Sequence, residues 1–329
     1  MSEGVKRTVL FISPSFFGYE KEITKELSLN NNVIFWDERP SNSSFYKVLL
    51  RLGLKWLIKK YNNEYYDEHI EKIKDKKIDV VFVLNPEAID LEILKKIKSV
   101  VLNNNSQCDF VIYLWDSVKN KPTVKSILSE FDFKYTFDHD DSTSMGMSFL
   151  PLFYSDNIDK IINKKNDYLF CFIGTAHSDR INVVDEILSN NRVSKNFKSY
   201  LFFYYPSKFI FLIRNITAKI KVKVNFKALS KNEVIQKMSA SEIIIDIHHP
   251  KQTGLTMRTL ECIGLNKKII TTNESVKKYD FYDPKMICII SRKNVKIPDG
   301  FIESQAVGYL NREKYKLSQW LHQIIPSEE

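Results

Sequence analysis

The sequence predicts an α/β protein built of two Rossmann-like domains, each with a parallel sheet covered by helices. Its strand-like segments are short, continuous apolar runs such as TVLFIS (8–13) and DVVFVL (79–84), which are typical of strands buried on both faces. Helical stretches separate these runs, and the whole pattern restarts after a polar break that begins at Pro151. A length of 329 residues suits two domains of roughly 150 residues each. We therefore expect two parallel sheets facing a cleft.

The first run of elements occupies residues 1–155, which we predict to be the first domain. Its predicted strands are 8–13, 32–36, 79–84 and 110–115. Its predicted helices are 20–29 and one long amphipathic helix from Phe45 to about Lys74. The boundary is drawn where a stretch rich in lysine and asparagine interrupts the alternation.

The second run occupies residues 156–329, the predicted second domain. Its predicted strands are 168–173, 200–204, 221–226, 242–247 and 267–271. Its predicted helices are 180–188, 255–263 and 312–325. We expect the last of these to pack back on the first domain.

The composition predicts the cellular compartment of the protein and the chemical class of its partner. The four scattered cysteines, without any CxxC pair, indicate reduced core residues of a cytoplasmic protein. No signal-peptide pattern is seen, and no apolar run approaches the ~20 residues that a membrane-spanning helix needs. The net charge of +9 and the pI near 9.1 indicate an anionic partner. Because zinc-finger spacing and an RNP-like aromatic box are absent, we expect that partner to be a phosphate-bearing small molecule or an acidic membrane surface, and not nucleic acid.

Ligands of open parallel sheets bind beyond the carboxyl ends of the strands, so the loops after strands hold the candidate site residues. Phe17 and Gly18 follow the first strand in SPSFFGYE. A glycine there allows close approach of the backbone to a ligand, although a plain turn is the alternative. The chain has no G-x-G-x-x-G, which argues against an ordinary dinucleotide-binding dehydrogenase.

A second candidate loop, GTAHSDR (174–180), lies between a strand and a helix. Free amides and the helix dipole favour an anion at such a position, so we expect this loop to hold a phosphate group. The alternative is that Ser178 or Asp179 only caps the helix. The candidate binding residues are Gly174, Thr175, His177 and Arg180.

The loop HHPKQTGLTMRTLE (248–261) is the most distinctive stretch of the chain. It leaves an apolar strand and enters a helix in which Arg258 and Glu261 share a face. A glutamate can accept hydrogen bonds from sugar hydroxyls, and an arginine can offset a diphosphate. A simple Arg258–Glu261 salt bridge is the alternative. The candidate donor-binding residues are His249, Gln252, Thr253, Gly254, Leu255, Thr256, Arg258 and Glu261.

No metal site is expected, because the adjacent histidines His248 and His249 point to opposite faces of an extended chain. For the catalytic base we favour Asp116 at the end of the fourth strand, with His139 as a further candidate. The alternatives are a capping role for Asp116 and a solvated acidic turn around His139. Two aromatic and basic stretches, 45–60 and 197–214, are candidates for contact with an anionic membrane.

Several of these blocks resemble the GT-B glycosyltransferases of bacterial capsule, O-antigen and lipopolysaccharide synthesis, and more distantly spore-maturation-protein-like glycosyltransferases. The resemblance is carried by the strand, the turn P-x-Q-x-G (250–254), the helix with Arg258 and Glu261, and KKIITTN (267–273). The blocks YLWDS (113–117), FLPLFY (149–154) and FIGTAHSDR (172–180) are similar as well. Many retaining members have two glutamates eight residues apart; here Glu261 matches the second, whereas Thr253 stands in the place of the first.

The resemblance implies a glycosyltransferase that works without a cofactor or metal. It implies that the second domain binds a nucleotide-sugar substrate and that the first presents a glycan or lipid-linked glycan acceptor, in the cytoplasm or at the inner face of the cell membrane. Two alternatives stay open. One is a transferase that uses phosphoribosyl diphosphate, and the other is a non-catalytic protein that binds a sugar or nucleotide.

Overall fold

The structure, a computed structural model, describes residues 6–161, 166–176, 179–189, 198–205, 207–208, 211–212, 222–249 and 253–325. The chain divides into two compact units. The first comprises Met1–Pro151 together with Leu317–Glu329, and the second comprises Leu152–Lys316. Each unit is built on one sheet.

The first unit contains a six-stranded sheet in the order β2-β1-β3-β4-β5-β6, in which every neighbouring pair is parallel. Its strands are β1 (Thr8–Ser13), β2 (Asn32–Asp37), β3 (Val80–Leu84), β4 (Asp109–Leu114), β5 (Phe133–Thr136) and β6 (Ser148–Phe149). Its helices are α1 (Tyr19–Asn30), α2 (Ser44–Arg51), α3 (Lys59–Glu71), α4 (Leu91–Asn104) and α5 (His139–Met145). Residues 9–12 and 81–84 have no exposed surface, as their unbroken apolar runs predict for central strands.

The helix predicted from Phe45 to about Lys74 is broken in the structure. Helix α2 ends at Arg51, a 3-10 turn covers Lys55–Ile58, and α3 begins at Lys59. The break lies at the sequence Leu52-Gly53-Leu54, where a glycine interrupts an otherwise helical pattern. Helical periodicity predicted the content of this segment correctly but not its division into three elements.

The second unit repeats the design with a sheet in the order β12-β11-β10-β7-β8-β9, again parallel throughout. Its strands are β7 (Tyr168–Thr175), β8 (Ser199–Tyr204), β9 (Val224–Asn225), β10 (Ser241–Asp246), β11 (Lys268–Thr271) and β12 (Ile287–Ile289). Its helices include α6 (Arg180–Ser189), α7 (Lys231–Ser239) and α8 (Met257–Gly264). Of the strand predicted over 221–226, residue 221 lies outside the described residues, and the described part contains the two-residue strand β9.

The last described helix, α9 (Leu317–Ile324), belongs to the first unit. Its Trp320 is almost fully buried and lies against Tyr113 at a ring distance of 4.8 Å and against Phe82 at 6.1 Å. The segment that returns to the first unit therefore fills its core with an aromatic side chain.

The predicted fold class, α/β with two parallel sheets in Rossmann-like units, is confirmed by this topology. All four cysteines are buried and unpaired, in keeping with their apolar surroundings. Among the residues that the structure describes, no helix is both long enough and apolar enough to cross a membrane.

Candidate functional site

The residues with the most distinctive geometry lie at the carboxyl edge of the second sheet, where β7, β10, β11 and β12 end. Parallel strands bring all these ends to one edge, so side chains that are far apart in sequence meet there. The loop after β10 is the centre of the arrangement, and contacts from three other strand ends converge on it.

Asp246, the last residue of β10, organises the start of α8. Its Oδ2 accepts hydrogen bonds from Thr256 Oγ1 at 3.0 Å and from Thr259 Oγ1 at 2.6 Å. Thr256 is the N-cap of α8 and accepts from the amide of Thr259 at 3.2 Å. The predicted loop residue Thr256 is thus a helix cap, and a buried carboxylate fixes it to the sheet.

Two arginines from distant parts of the chain also donate hydrogen bonds to the segment after β10. Arg180, the first residue of α6, donates from Nε to the carbonyl of Ile247 at 2.9 Å and from Nη1 to Thr175 Oγ1 at 2.5 Å. Arg292, in the loop after β12, donates to the carbonyl of His248 and pairs with Asp179 Oδ1 at 2.6 Å. Burial, together with the nearby positive charge of Arg292, lowers the pKa of Arg180.

His248 lies close to Arg180 and Arg292, and its imidazole is neutral at physiological pH. Burial is the main cause that lowers the pKa of His248 to about 4, and the charges of Arg292 and Arg180 add to it. Its Nδ1 lies 2.7 Å from Thr272 Oγ1, at the end of β11. A neutral imidazole next to two guanidinium groups offers hydrogen bonding without a further positive charge.

The loop between β10 and α8 is held from the next strand by Asn273. Its Nδ2 donates to the carbonyls of Thr253 at 3.3 Å and Gly254 at 3.2 Å. Gly254 and Leu255 are buried, whereas Thr253 is half-buried. The carbonyls of Thr253 and Gly254 are therefore used within the fold.

Arg258 and Glu261 form the ion pair that their spacing suggests, with Nη1 2.9 Å from Oε2. Only 3% of the Glu261 side chain is exposed, and Arg258 Nη1 also lies 2.9 Å from Met238 Sδ. The pair is thus a buried link between α8 and α7 and not the surface salt bridge of the simpler interpretation. In this arrangement the Glu261 carboxylate is largely covered.

The remaining residues predicted to bind the donor add little to the geometry of the site. His177 and Gln252 lie outside the described residues. His249 is half-buried. A Cβ atom on Gly174 would lie 2.8 Å from the ring of Phe172, so close packing explains why this position is a glycine.

Asp116 follows β4 in the first unit and is partly exposed. Its Oδ1 accepts from Asn120 Nδ2 at 2.9 Å, and its Oδ2 lies 3.8 Å from Lys121 Nζ. Lys121 also pairs with Glu87, which in turn lies 3.6 Å from Arg39 Nη1. Asp116 is therefore the end of a chain of alternating charges that runs along the carboxyl ends of β2, β3 and β4.

His139 begins α5, and its ring stacks on Phe149 at 3.7 Å. The acids around it have structural tasks, because Asp138 caps the helix and Asp141 Oδ2 accepts from the amide of Val118 at 2.7 Å. The sequence 138–141 is thus a capped helix start.

Phe17 and Gly18 form the turn between β1 and α1. Phe17 has a φ of 52°, which is uncommon for a bulky residue, and Gly18 has a φ of 82°. Phe16 and Phe17 are exposed, and the ring of Phe16 lies 5.6 Å from that of Trp115 after β4. An aromatic surface therefore lies at this edge of the first sheet.

Sequence reasoning named Asp179 only as an alternative helix cap. It did not single out five further residues of these networks: Arg292, Asn273, Arg39, Glu87 and Lys121. All of them follow strands or open helices next to strand ends. The same rule that selected Asp116 would have found Arg292, had β12 been predicted. Among the described residues there is no group of three or more His, Cys, Asp or Glu side chains that could hold a metal ion.

No protein-family model matches the chain, and no curated protein matches it in sequence. Among solved structures, an alpha-glucosyltransferase in complex with UDP and a 13-mer DNA containing a HMU base is 11% identical, covers 97% of this chain and 96% of its own, and has a TM-score of 0.57. A UDP-N-acetylglucosamine 2-epimerase is 9% identical, with coverages of 97% and 94% and a TM-score of 0.55. The UDP-GlcNAc 2-epimerase from Neisseria meningitidis, bound to UDP-GlcNAc, is 10% identical, covers 87% of each chain and has a TM-score of 0.50. The fold is therefore the two-sheet GT-B type shared by such glycosyltransferases and epimerases.

These structures correct two expectations from the sequence. The absence of short nucleic-acid motifs predicts a partner other than nucleic acid, and the resemblance implies a glycan acceptor. Both expectations are wrong, because the alpha-glucosyltransferase with the same fold is solved in complex with DNA. Contacts to the phosphate backbone need only well-placed positive charge and no short sequence motif.

Proposed function

We propose that this protein is a glycosyltransferase that takes a sugar from a UDP-sugar, with the donor bound at the carboxyl edge of the second sheet. The observation that carries the proposal is the convergence of Arg180 and Arg292 on the loop after β10, next to the N-terminus of α8. Guanidinium groups and the positive end of a helix dipole suit a diphosphate. The neighbours with this fold that are described with UDP or UDP-GlcNAc support the uridine nucleotide.

In the proposed reaction an acceptor hydroxyl attacks the anomeric carbon of the sugar, and the bond from that carbon to the diphosphate oxygen breaks. Negative charge then accumulates on the leaving UDP, where Arg180 and Arg292 would stabilise it. Because these two cations would supply that positive charge, we expect transfer to proceed without a divalent cation and in the presence of EDTA. Asp116 is the proposed base that takes the proton of the hydroxyl.

The donor site is tested by the affinity for UDP, with GDP, CDP, dTDP and phosphoribosyl diphosphate as competitors. We expect UDP to bind best and Arg292→Gln to weaken UDP binding about tenfold to a hundredfold, since a charge-assisted hydrogen bond is lost. Lys293→Gln is the matched control, because Lys293 is exposed and adjacent. Isothermal titration gives the affinity, and the melting midpoint without ligand shows that the variant is folded. Preference for phosphoribosyl diphosphate, or equal losses in both variants, would contradict the proposal.

The catalytic proposal is tested by UDP release from UDP-glucose and UDP-GlcNAc, alone and with duplex DNA containing a HMU base. We expect Asp116→Asn to lower kcat by about a hundredfold while UDP affinity is kept, as for loss of a general base. Asp140→Asn, at an exposed acid, is the control. Binding of UDP without any turnover would identify a non-catalytic binding protein instead.

The epimerase neighbours give a second outcome for the same assay. Proton NMR of UDP-GlcNAc incubated with the protein distinguishes the two reactions, because inversion at C2 leaves the sugar attached to UDP. Appearance of the C2 epimer without UDP release would replace the transferase proposal by an epimerase.

A further inference from the structure

Large apolar side chains are exposed on α2 and on the 3-10 turn that follows it. Phe45 is 74% exposed, Trp56 71% and Leu52 66%. Val48 and Leu57 are exposed as well. We call these five residues the α2 patch. So many large apolar side chains exposed within thirteen residues are unusual on a protein surface and indicate a contact with another molecule.

The α2 patch is not a consequence of a poorly packed segment. The other side of the same elements is buried, with Tyr46, Leu49, Leu50 and Ile58 packed around Ala88. Ser43 caps α2 by accepting from the amide of Tyr46 at 3.2 Å. The segment is therefore anchored on the first unit by one apolar face and presents a second apolar face outward.

The charges of this segment have a single sign. Residues 45–60 contain three further lysines and an arginine besides Lys47, and no acidic residue. Lys59 pairs with Glu92 at 2.9 Å and Lys60 with Glu64 at 3.7 Å, but all four side chains are more than half exposed. Exposed pairs of this kind contribute little, so an external anion can compete for these lysines.

The combination of exposed apolar side chains and lysines distinguishes between three possible partners of the α2 patch: nucleic acid, another protein and a lipid bilayer. The rings of Phe45 and Trp56 are able to stack on nucleic-acid bases, but the other three members of the patch, Val48, Leu52 and Leu57, are aliphatic and offer no such ring. A protein interface is depleted in lysine at its core. Exposed Trp, Phe and Leu next to several lysines are what an element lying in the headgroup region of an anionic bilayer needs.

We propose that the α2 patch docks the first unit onto an anionic lipid bilayer, with Phe45, Leu52 and Trp56 inserted among the headgroups and the exposed Lys59 and Lys60 on the anionic lipids. The proposal goes beyond the reaction and does not depend on it, because none of these residues belongs to the candidate site in the second unit.

The test is cosedimentation of the full chain with vesicles of phosphatidylcholine alone and of phosphatidylcholine with about one third phosphatidylglycerol. We expect binding to the anionic vesicles, weakened as salt rises, and about a tenfold or larger loss in the double variant Phe45→Ser/Trp56→Ser. The matched control is Val307→Ser/Leu310→Ser, since these residues are exposed apolar side chains outside the α2 patch. Melting midpoints verify folding, and UDP affinity without vesicles stays unchanged in both double variants.

Three results would overturn the proposal. The first is equal binding of both double variants, or of the native chain to both kinds of vesicle. The second is a concentration-dependent dimer of the native chain that Phe45→Ser/Trp56→Ser abolishes, which would assign the face to a second copy. The third is single-stranded DNA binding lost in the same variant without vesicle binding by the native chain, which would assign the face to nucleic acid. Failure of UDP binding leaves this test intact, so the two proposals fail separately.

Discussion

Glu38, the residue that follows β2, is a carboxyl group with no exposed surface. Its Oε1 accepts from the amides of Glu87 at 2.7 Å and Ile89 at 2.9 Å, and also from that of Ala88. Its Oε2 is buried and has no hydrogen-bond partner within the described ranges. Burial is the largest cause that raises the pKa of Glu38 to about 7.

This raised pKa makes the stability of the first unit depend on pH. Between pH 4.5, the ordinary pKa of a glutamate side chain, and about pH 7, the folded state holds a proton on Glu38 that the unfolded state has lost. The stabilisation from that proton is therefore complete below about pH 4.5 and is lost as the pH rises towards 7. The free energy of unfolding is expected to decrease by about 3 kcal/mol over this pH range.

We predict that Glu38→Gln abolishes this pH-dependent decrease in stability, because glutamine keeps an oxygen that accepts from the three amides and cannot ionise. Urea unfolding of the variant should show a smaller decrease in the free energy of unfolding between pH 5 and pH 8 than the native chain shows. Glu71→Gln, at an exposed position of α3, is the control and should leave the pH dependence unchanged. A slope that is identical in the native chain and in Glu38→Gln would contradict the assignment of a raised pKa.

At the scale of elements, α8 is a short helix whose start is defined by its contacts with the sheet. Thr256 caps it, and both Thr256 and Thr259 donate to Asp246 at the end of β10. Its eight residues are too few for a helix that is stable in isolation. Tertiary contacts, among them the hydrogen bonds to the buried carboxylate of Asp246, therefore hold the helix whose N-terminus faces the proposed donor.

We predict that Thr259→Val destabilises the second unit by about 1–3 kcal/mol, since the buried Asp246 loses a donor while the shape of the side chain is kept. Thr259→Ser retains the hydroxyl and should cost less. Urea unfolding measures the stability of both variants, and titration with UDP measures the coupling to the proposed site. Equal stability of the valine and serine variants would show that the hydrogen bond to Asp246 has no role.

At the scale of the whole molecule, the end of the chain is part of the first unit although it follows the second in sequence. Helix α9 supplies Trp320 to a core that also contains Phe82 of β3 and Tyr113 of β4. The first unit is therefore completed only after the second has been synthesised.

We predict that Trp320→Ala destabilises the first unit by about 3–5 kcal/mol, as for other truncations of large buried aromatic residues. Trp56→Ala is the control, because Trp56 is exposed, and it should change stability by less than about 0.5 kcal/mol. Limited proteolysis followed by mass spectrometry shows which unit opens. Preferential cleavage within 152–316 in the Trp320 variant would be inconsistent with this packing.

Sequence patterns alone are sufficient to predict the fold class and the sheet edges where ligands are expected. Unbroken apolar runs such as 80–84 and 243–247 have only one favourable environment, the middle of a covered parallel sheet. The carboxyl end of such a strand follows from chain direction, so Asp116 and the loop after β10 could be selected without a structure. Strands β5 and β6 are short and partly polar and lack this pattern. Strand β12 lies in the apolar run 286–290 and does show it, but this run was not among the predicted strands, and the loop containing Arg292 was missed with it.

Which side chains meet depends on the tertiary structure. It shows that Glu261 pairs with Arg258 and is largely covered, that Thr256 and Thr259 donate to Asp246, and that Arg180 and Arg292 converge on one loop. The physical reason is that hydrophobic periodicity reports whether a residue is buried but not which partner it is buried against. Partners more than a hundred residues apart, such as Asp179 and Arg292, are selected by strand order, and strand order leaves no periodic trace in the sequence.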